Sequence, residues 1–109
     1  MILFRQEHVK PILEGRKTET RRTGKARWKI GSIHQARTRM LDAKSCFALL
    51  EIGGLEGMAL HDVQPYEVWH EGYETLEEFV GVWERINGRG SWNHNPQVWA
   101  VKFRVVEVR

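Results

Sequence analysis

Gly15-Arg16-Lys17-Thr18-Glu19-Thr20-Arg21-Arg22 is the densest polar cluster in the chain, and its neighbours decide how it is held. Before it, Val9, Ile12 and Leu13 recur at i, i+3 and i+4, which predicts a short helix over residues 8–14. Pro11 falls in the first turn, where a missing N–H costs nothing, and Gly15 is a helix stop. After it, Thr18, Thr20 and Thr23 favour extended chain or turns over helix. In extended chain Lys17, Glu19 and Arg21 share one side and Thr18, Thr20 and Arg22 the other. A turn near Lys17 would break that alternation and set Lys17 beside Thr20.

Working outward, Met1-Ile-Leu-Phe4 reads as a first strand. Ser32 to Met40 predicts another, with Ile33 and His34 on opposite faces, and residues 42–45 a turn. Cys46 to Ile52 reads as a largely buried strand that Gly53-Gly54 interrupts or bulges. Leu55 to Leu60 continues the sheet. Pro65 opens a helix that runs to Glu71 and stops at Gly72. Thr75-Leu-Glu-Glu78 is a capping box opening a second helix, with core stripe Leu76, Phe79, Val80 and Trp83 and its end at Asn87-Gly88. Residues 89–97 form a Gly/Asn/Pro loop. Val98 to Val108 is the longest strand, with Trp99, Val101, Phe103 and Val105 on its core face and Lys102 and Arg104 opposite. This order implies one α+β domain over residues 1–109: a small mixed sheet or barrel with helices at its side and one modest core.

Apolar residues make up 41% and charged residues 28%, which argues against disorder. The one cysteine, Cys46, excludes an internal disulfide, and its apolar surroundings suggest a buried, inert thiol. With no signal-like start and no apolar run near the roughly 20 residues of a membrane helix, a cytoplasmic location is expected. Charge is unevenly spread. Residues 1–44 hold twelve Lys/Arg against four Asp/Glu, a balance of +8; residues 45–109 hold five against ten, a balance of −5. That asymmetry points to a basic face for a polyanion, or to two faces that attract each other across the fold.

No pair of the five histidines has metal-ligand spacing with a partner acid, so neither metal nor cofactor is expected. His34 is a candidate acid or base, or else a hydrogen-bonded structural residue. Trp28, Trp92 and Trp99 can stack a base; alternation assigns Trp99 to the core, leaving Trp92 in its loop as the better candidate. Arg37 and Arg39 would extend a phosphate track.

Gly15-x-Lys17-x-x-x-x-Arg22 resembles the GxKxxxxR motif of the ASCH domain family, within the PUA-like superfamily. Flanking features in the same order strengthen the likeness: Ile12-Leu-Glu-Gly15, Gly31-Ser-Ile-His34, Glu71-Gly-Tyr followed by Phe79 and Trp83, and Gln97 to Phe103. The resemblance implies a small β-barrel with helices flanking a cleft, and an RNA or modified-nucleoside partner. Some small members hydrolyse N4-acetylcytidine, and their Lys, Thr and Glu roles fall on Lys17, Thr20 and Glu71, with Glu67 the nearby alternative carboxylate. Arg16, Arg21, Arg22, His34, Arg37 and Trp92 are the expected substrate-binding residues. The chemistry is coherent, because a threonine hydroxyl needs a base and a lysine serves only with a depressed pKa. Two alternatives keep the same cleft: a non-catalytic RNA-binding module and a ribonuclease. Neither a membrane nor an obligate protein partner is expected.

Overall fold

The computed structural model describes all residues 1–109. Five strands form one sheet, β1 Ile2–Leu3, β2 Glu19–Arg22, β3 Ile33–Arg37, β4 Cys46–Ala59 and β5 Gln97–Val108, in the order β1-β3-β4-β5-β2. The β1–β3 pair is parallel and the others antiparallel. The sheet curls into a half-barrel that brings its two edge strands together: Arg22 Nη2 on β2 donates to the Leu3 carbonyl on β1 at 2.5 Å.

The predicted breaks become bends. β4 runs through Gly53-Gly54 as one 14-residue strand, and its register against β5 shifts between Ile52 and Gly54. A second shift, between Ala36 and Arg37, ends β3 three residues before Met40. The first helix is shorter than predicted: α1 spans Val9–Leu13, behind a 3₁₀ turn at Gln6–His8, and Gly15 follows with φ +79°. α2 covers Pro65–His70, with Glu71 as its C-cap. α3 covers Leu76–Asn87, and Thr75 accepts the Glu78 N–H at 3.2 Å as its N-cap.

The core is two clusters rather than one. Ile2, Phe4, Ile12, Ala36, Ala48, Leu50, Ile52, Val101 and Phe103 fill the concave side of the sheet. Leu60, Val63, Val68, Tyr73, Phe79, Val82, Trp83 and Val98 fill the space under α2 and α3. The clusters meet along β5, which explains why its first half is buried on both faces. Val98 and Ala100 are fully buried, while Trp99 is only half-buried and spends its indole N–H on the Gly24 carbonyl at 3.1 Å. Cys46 is likewise half-buried rather than fully enclosed. No helix is long and apolar enough to cross a membrane.

Candidate active site

Where β2, β5 and α2 meet, the sequence places charge inside the protein. Glu19 and Arg21 project from the same side of β2, as strand alternation requires, and Glu67 and Glu71 come one helical turn apart from α2. Arg21, whose side chain has no exposure, donates from Nη1 to Glu19 Oε1 at 2.9 Å and to Glu71 Oε2 at 3.0 Å. Its Nη2 donates to Glu67 Oε2 at 2.8 Å. Glu67 has a second task, because its Oε1 accepts the Gln64 N–H at 2.8 Å and caps α2.

Lys17, its side chain 1% exposed, reaches the same cluster just before β2 begins. Its Nζ donates to the Glu71 carbonyl at 2.5 Å, the Glu19 carbonyl at 3.1 Å and Glu71 Oε1 at 3.3 Å. Three acceptors match three ammonium protons. Burial nonetheless pushes the Lys17 pKa below its ordinary value, with Glu71 opposing and Arg22 adding to the depression. Burial also works against the Arg21 charge, but Glu71 and Glu19 outweigh it and hold that guanidinium more firmly protonated than usual. Gly72 makes the approach of Lys17 to the helix end possible through its backbone: φ is +103°, a conformation that side chains with a Cβ rarely adopt.

The other side of β2 carries Thr20 and Arg22. Arg22 Nε donates to Thr20 Oγ1 at 3.1 Å, and its guanidinium packs 5.3 Å from the centre of the Phe4 ring. Burial lowers the Arg22 pKa from its ordinary value. Nearby, His8 Nε2 and the Tyr73 hydroxyl pair at 2.8 Å, and Lys17 Nζ lies 6.0 Å from the Tyr73 ring centre. Burial, then the Lys17 charge, lowers His8 to about 4 and keeps it neutral; burial, then Glu71, raises Tyr73.

These groups form the polar end of a cleft of about 760 Å³. Lys17, Thr20, Arg21, Arg22, Glu71, His8 and Tyr73 line that end. Phe79, Val82, Trp83 and Ile86 of α3 and residues 1–5 also line the cleft. Arg27, Trp28, Thr38 and Met40 complete the lining. The volume falls in the range of small-molecule sites. No three His, Cys, Asp or Glu side chains are placed to hold a metal; the three carboxylates converge on Arg21 instead.

Of the sequence candidates, Lys17, Thr20, Glu71, Arg21 and Arg22 come together in the cleft. Both Arg21 terminal nitrogens are engaged by protein carboxylates, while its buried Nε has no partner. Glu71 lines the cleft and Glu67 does not, because Glu67 is turned to Arg21 and the α2 backbone. Four candidates lie elsewhere. Arg16 stacks over Trp69 at 3.7 Å. His34 pairs with Ser32 Oγ at 2.8 Å, and burial lowers its pKa. Arg37 is spent on Gln35 Oε1 at 2.7 Å and the Met40 carbonyl at 3.1 Å. Trp92 is stacked on His61 with ring centres 4.4 Å apart and lies perpendicular to Phe79, so His61 already takes one of its faces. Sequence reasoning missed His8, Tyr73, Phe4 and Trp83 as cleft residues. The signal for Tyr73 was its place two residues after Glu71; nothing local marked the others.

No family model matches the chain, and no curated protein matches it. Solved structures do. Protein EF3133 from Enterococcus faecalis V583, of family model DUF984, superposes with a TM-score of 0.73 at 18% identity, covering 94% of this chain and 68% of that one. The ASCH domain from Lactobacillus crispatus JV V101 gives 0.71 at 16% identity, covering 91% and 70%. The hypothetical protein PH0355 gives 0.72 at 15% identity and covers 96% of each chain. At these identities the likeness concerns the fold, and the curled five-stranded sheet with its flanking helices is an ASCH-domain-like α+β fold.

Proposed function

We propose that this protein is an RNA-related amidohydrolase that removes the acyl group from N4-acetylcytidine or a closely related modified nucleoside. One observation carries the reading: a lysine with depressed pKa, enclosed against Glu71, lines the same cleft as Thr20, whose oxygen is fixed by Arg22. Tyr73, Trp83 and Trp28 supply flat apolar surface for a base.

The chemistry follows from these positions. In its neutral form, with one of its three hydrogen bonds released and its amine turned toward Thr20, Lys17 takes the hydroxyl proton as Oγ1 attacks the acyl carbon. Arg22, already donating to Thr20 Oγ1, holds the hydroxyl oxygen in place for the attack. The C–N bond breaks, and the proton held by Lys17 passes to the departing N4 amine, giving cytidine and a Thr20 ester. Water, deprotonated by Lys17, then cleaves the ester to acetate and restores the hydroxyl. Glu71 holds the lysine through both halves. The single unpaired cysteine suits a reducing cytoplasm as the place of action.

The test is incubation of the protein with N4-acetylcytidine, with cytidine read by chromatography. Thr20→Val, which keeps shape and loses the hydroxyl, should abolish release while circular dichroism stays unchanged; Lys17→Ala should also abolish it. No release from folded wild-type protein overturns the reading. A second reading, a non-catalytic RNA-binding module, draws on a different observation. Lys25, Arg27 and Lys29 make no ion pair, and Arg27 lines the cleft. RNA retention that falls steeply between two salt concentrations, without turnover, would favour it.

A further inference from the structure

The mechanism leaves one buried group unused. Arg21, its side chain wholly enclosed, holds three carboxylates through its two terminal nitrogens and leaves Nε without a partner. Its position relative to Glu71 is specific. The carboxylate of Glu71 is divided, with Oε2 on Arg21 Nη1 at 3.0 Å and Oε1 on Lys17 Nζ at the longer 3.3 Å. The arginine therefore has the better share of the anion that favours the lysine's charged form.

We propose that Arg21 is a positioning residue that sets how tightly Lys17 holds its proton. By occupying one oxygen of Glu71, together with Glu19 and Glu67, it withdraws negative charge from the lysine. The groups facing Lys17 make the balance explicit. Glu71 lies at the end of α2 and Tyr73 just beyond it; Glu19 and Arg22 lie on β2; neutral His8 lies in the 3₁₀ turn. Three carboxylates, Glu19, Glu67 and Glu71, face two fully enclosed cations, Lys17 and Arg21. Without Arg21 all three would act on the lysine alone, and an ammonium so compensated would keep its proton across neutral pH. Glu67 belongs to the same device from the opposite side. It draws Nη2 at 2.8 Å, so neutralising Glu67 leaves Arg21 more completely engaged with Glu71.

The catalytic consequence rests on the amidohydrolase reading; the coupling between Arg21 and Lys17 does not. The experiment therefore reads the lysine directly. Protein labelled with ¹³Cε-lysine is titrated by NMR, and Lys17 is assigned as the resonance absent from Lys17→Met. In Arg21→Gln the Lys17 midpoint should move up by roughly one pH unit or more, the scale of one unit charge removed at short range in protein. In Glu67→Gln, whose amide oxygen can still accept the Gln64 N–H, the midpoint should move down. Should Arg21→Gln fail to fold, Arg21→Lys takes its place: a lysine cannot fork across three carboxylates, so the midpoint still rises, by less. Midpoints that stay put in the folded variants overturn the proposal, whatever the turnover. With N4-acetylcytidine, the acid limb of kcat/KM should move with the NMR midpoint while KM is kept. A purely structural Arg21 would lower activity without moving that limb. If wild-type protein releases no cytidine while the midpoints move as stated, the amidohydrolase reading falls and the coupling stands.

Discussion

Arg21 and Arg104 each hold a glutamate carboxylate at 2.8 Å, Arg21 through Glu67 and Arg104 through Glu51. In distance the two contacts are the same; in surroundings they are opposites. The Arg104 and Glu51 side chains, facing each other across β4 and β5, are 69% and 30% exposed, whereas Arg21 is wholly enclosed and Glu67 nearly so. Water already solvates the outer pair and would replace whatever the bond supplies. The inner charges have given up that solvation and depend on one another. The basic stretch of the sequence divides the same way. Lys17, Arg21 and Arg22 face inward and are paired, while Lys25, Arg27 and Lys29, a few residues on, are exposed and make no ion pair. Trp28 packs on the sheet core and Gly31 N–H bonds the Ile52 carbonyl at 2.7 Å, so the exposed cations stand on an anchored loop.

The sharpest break in the comparison is Arg21→Met. It leaves Glu19, Glu67 and Glu71 enclosed without their shared cation, and should cost about 3–5 kcal/mol in urea unfolding, or a melting point lower by roughly 10–20 °C. A loss of less than about 1 kcal/mol would mean that water reaches the cluster and that it resembles the outer pair after all.

Next in size is a pH effect that belongs to the interior alone. His8 is lowered from 6.5 to about 4, chiefly by burial and then by Lys17. Between those values the unfolded chain binds a proton that the folded chain refuses. Stability is therefore full above about pH 6.5 and declines as the pH drops toward 4. His8→Gln, which can still meet the Tyr73 hydroxyl, should remove about 2 kcal/mol of the difference between urea stabilities at pH 7 and pH 4.5. An unchanged difference would show that His8 is solvated in the folded protein.

The exposed half is probed by its partner rather than by stability. Replacing Lys25, Arg27 and Lys29 together with Gln should alter unfolding free energy little, as surface changes do, within about 0.5 kcal/mol for each. If these cations contact the phosphates of a single strand, the log–log salt slope of RNA retention should fall by about 2, near 0.7 per phosphate. An unaltered slope would remove the loop from any RNA path.

What was legible in the sequence follows the same division between local and distant effects. The helix starts at Pro65 and Thr75, the stops at Gly15 and Gly72 and the order of strands are set by neighbours within a few residues, and they were readable. So was the pairing of alternate residues on β2, with Arg21 to Glu19 and Arg22 to Thr20. The destination of the two faces was not. Glu67 and Glu71 reach Arg21 from 46 and 50 positions away, and no local pattern distinguishes a strand that will meet them from a solvated basic one. The surroundings of Trp92 were hidden for the same reason. A tryptophan in a Gly/Asn loop looks available until His61, 31 residues earlier, is found stacked on its ring.

The smallest expected effect closes the comparison from the outside. Arg104→Met deletes an ion pair of the same length as the inner one, so length alone predicts an equal cost. Exposure predicts less than about 1 kcal/mol, because the Glu51 carboxylate left behind regains water rather than facing a dry interior. A double-mutant cycle with Glu51→Gln isolates the pair from the packing of the arginine stem along the sheet. A coupling energy near zero, set against the cost of Arg21→Met, would assign the difference to desolvation. A coupling as large as the cost of Arg21→Met would mean that geometry, and not burial, governs both.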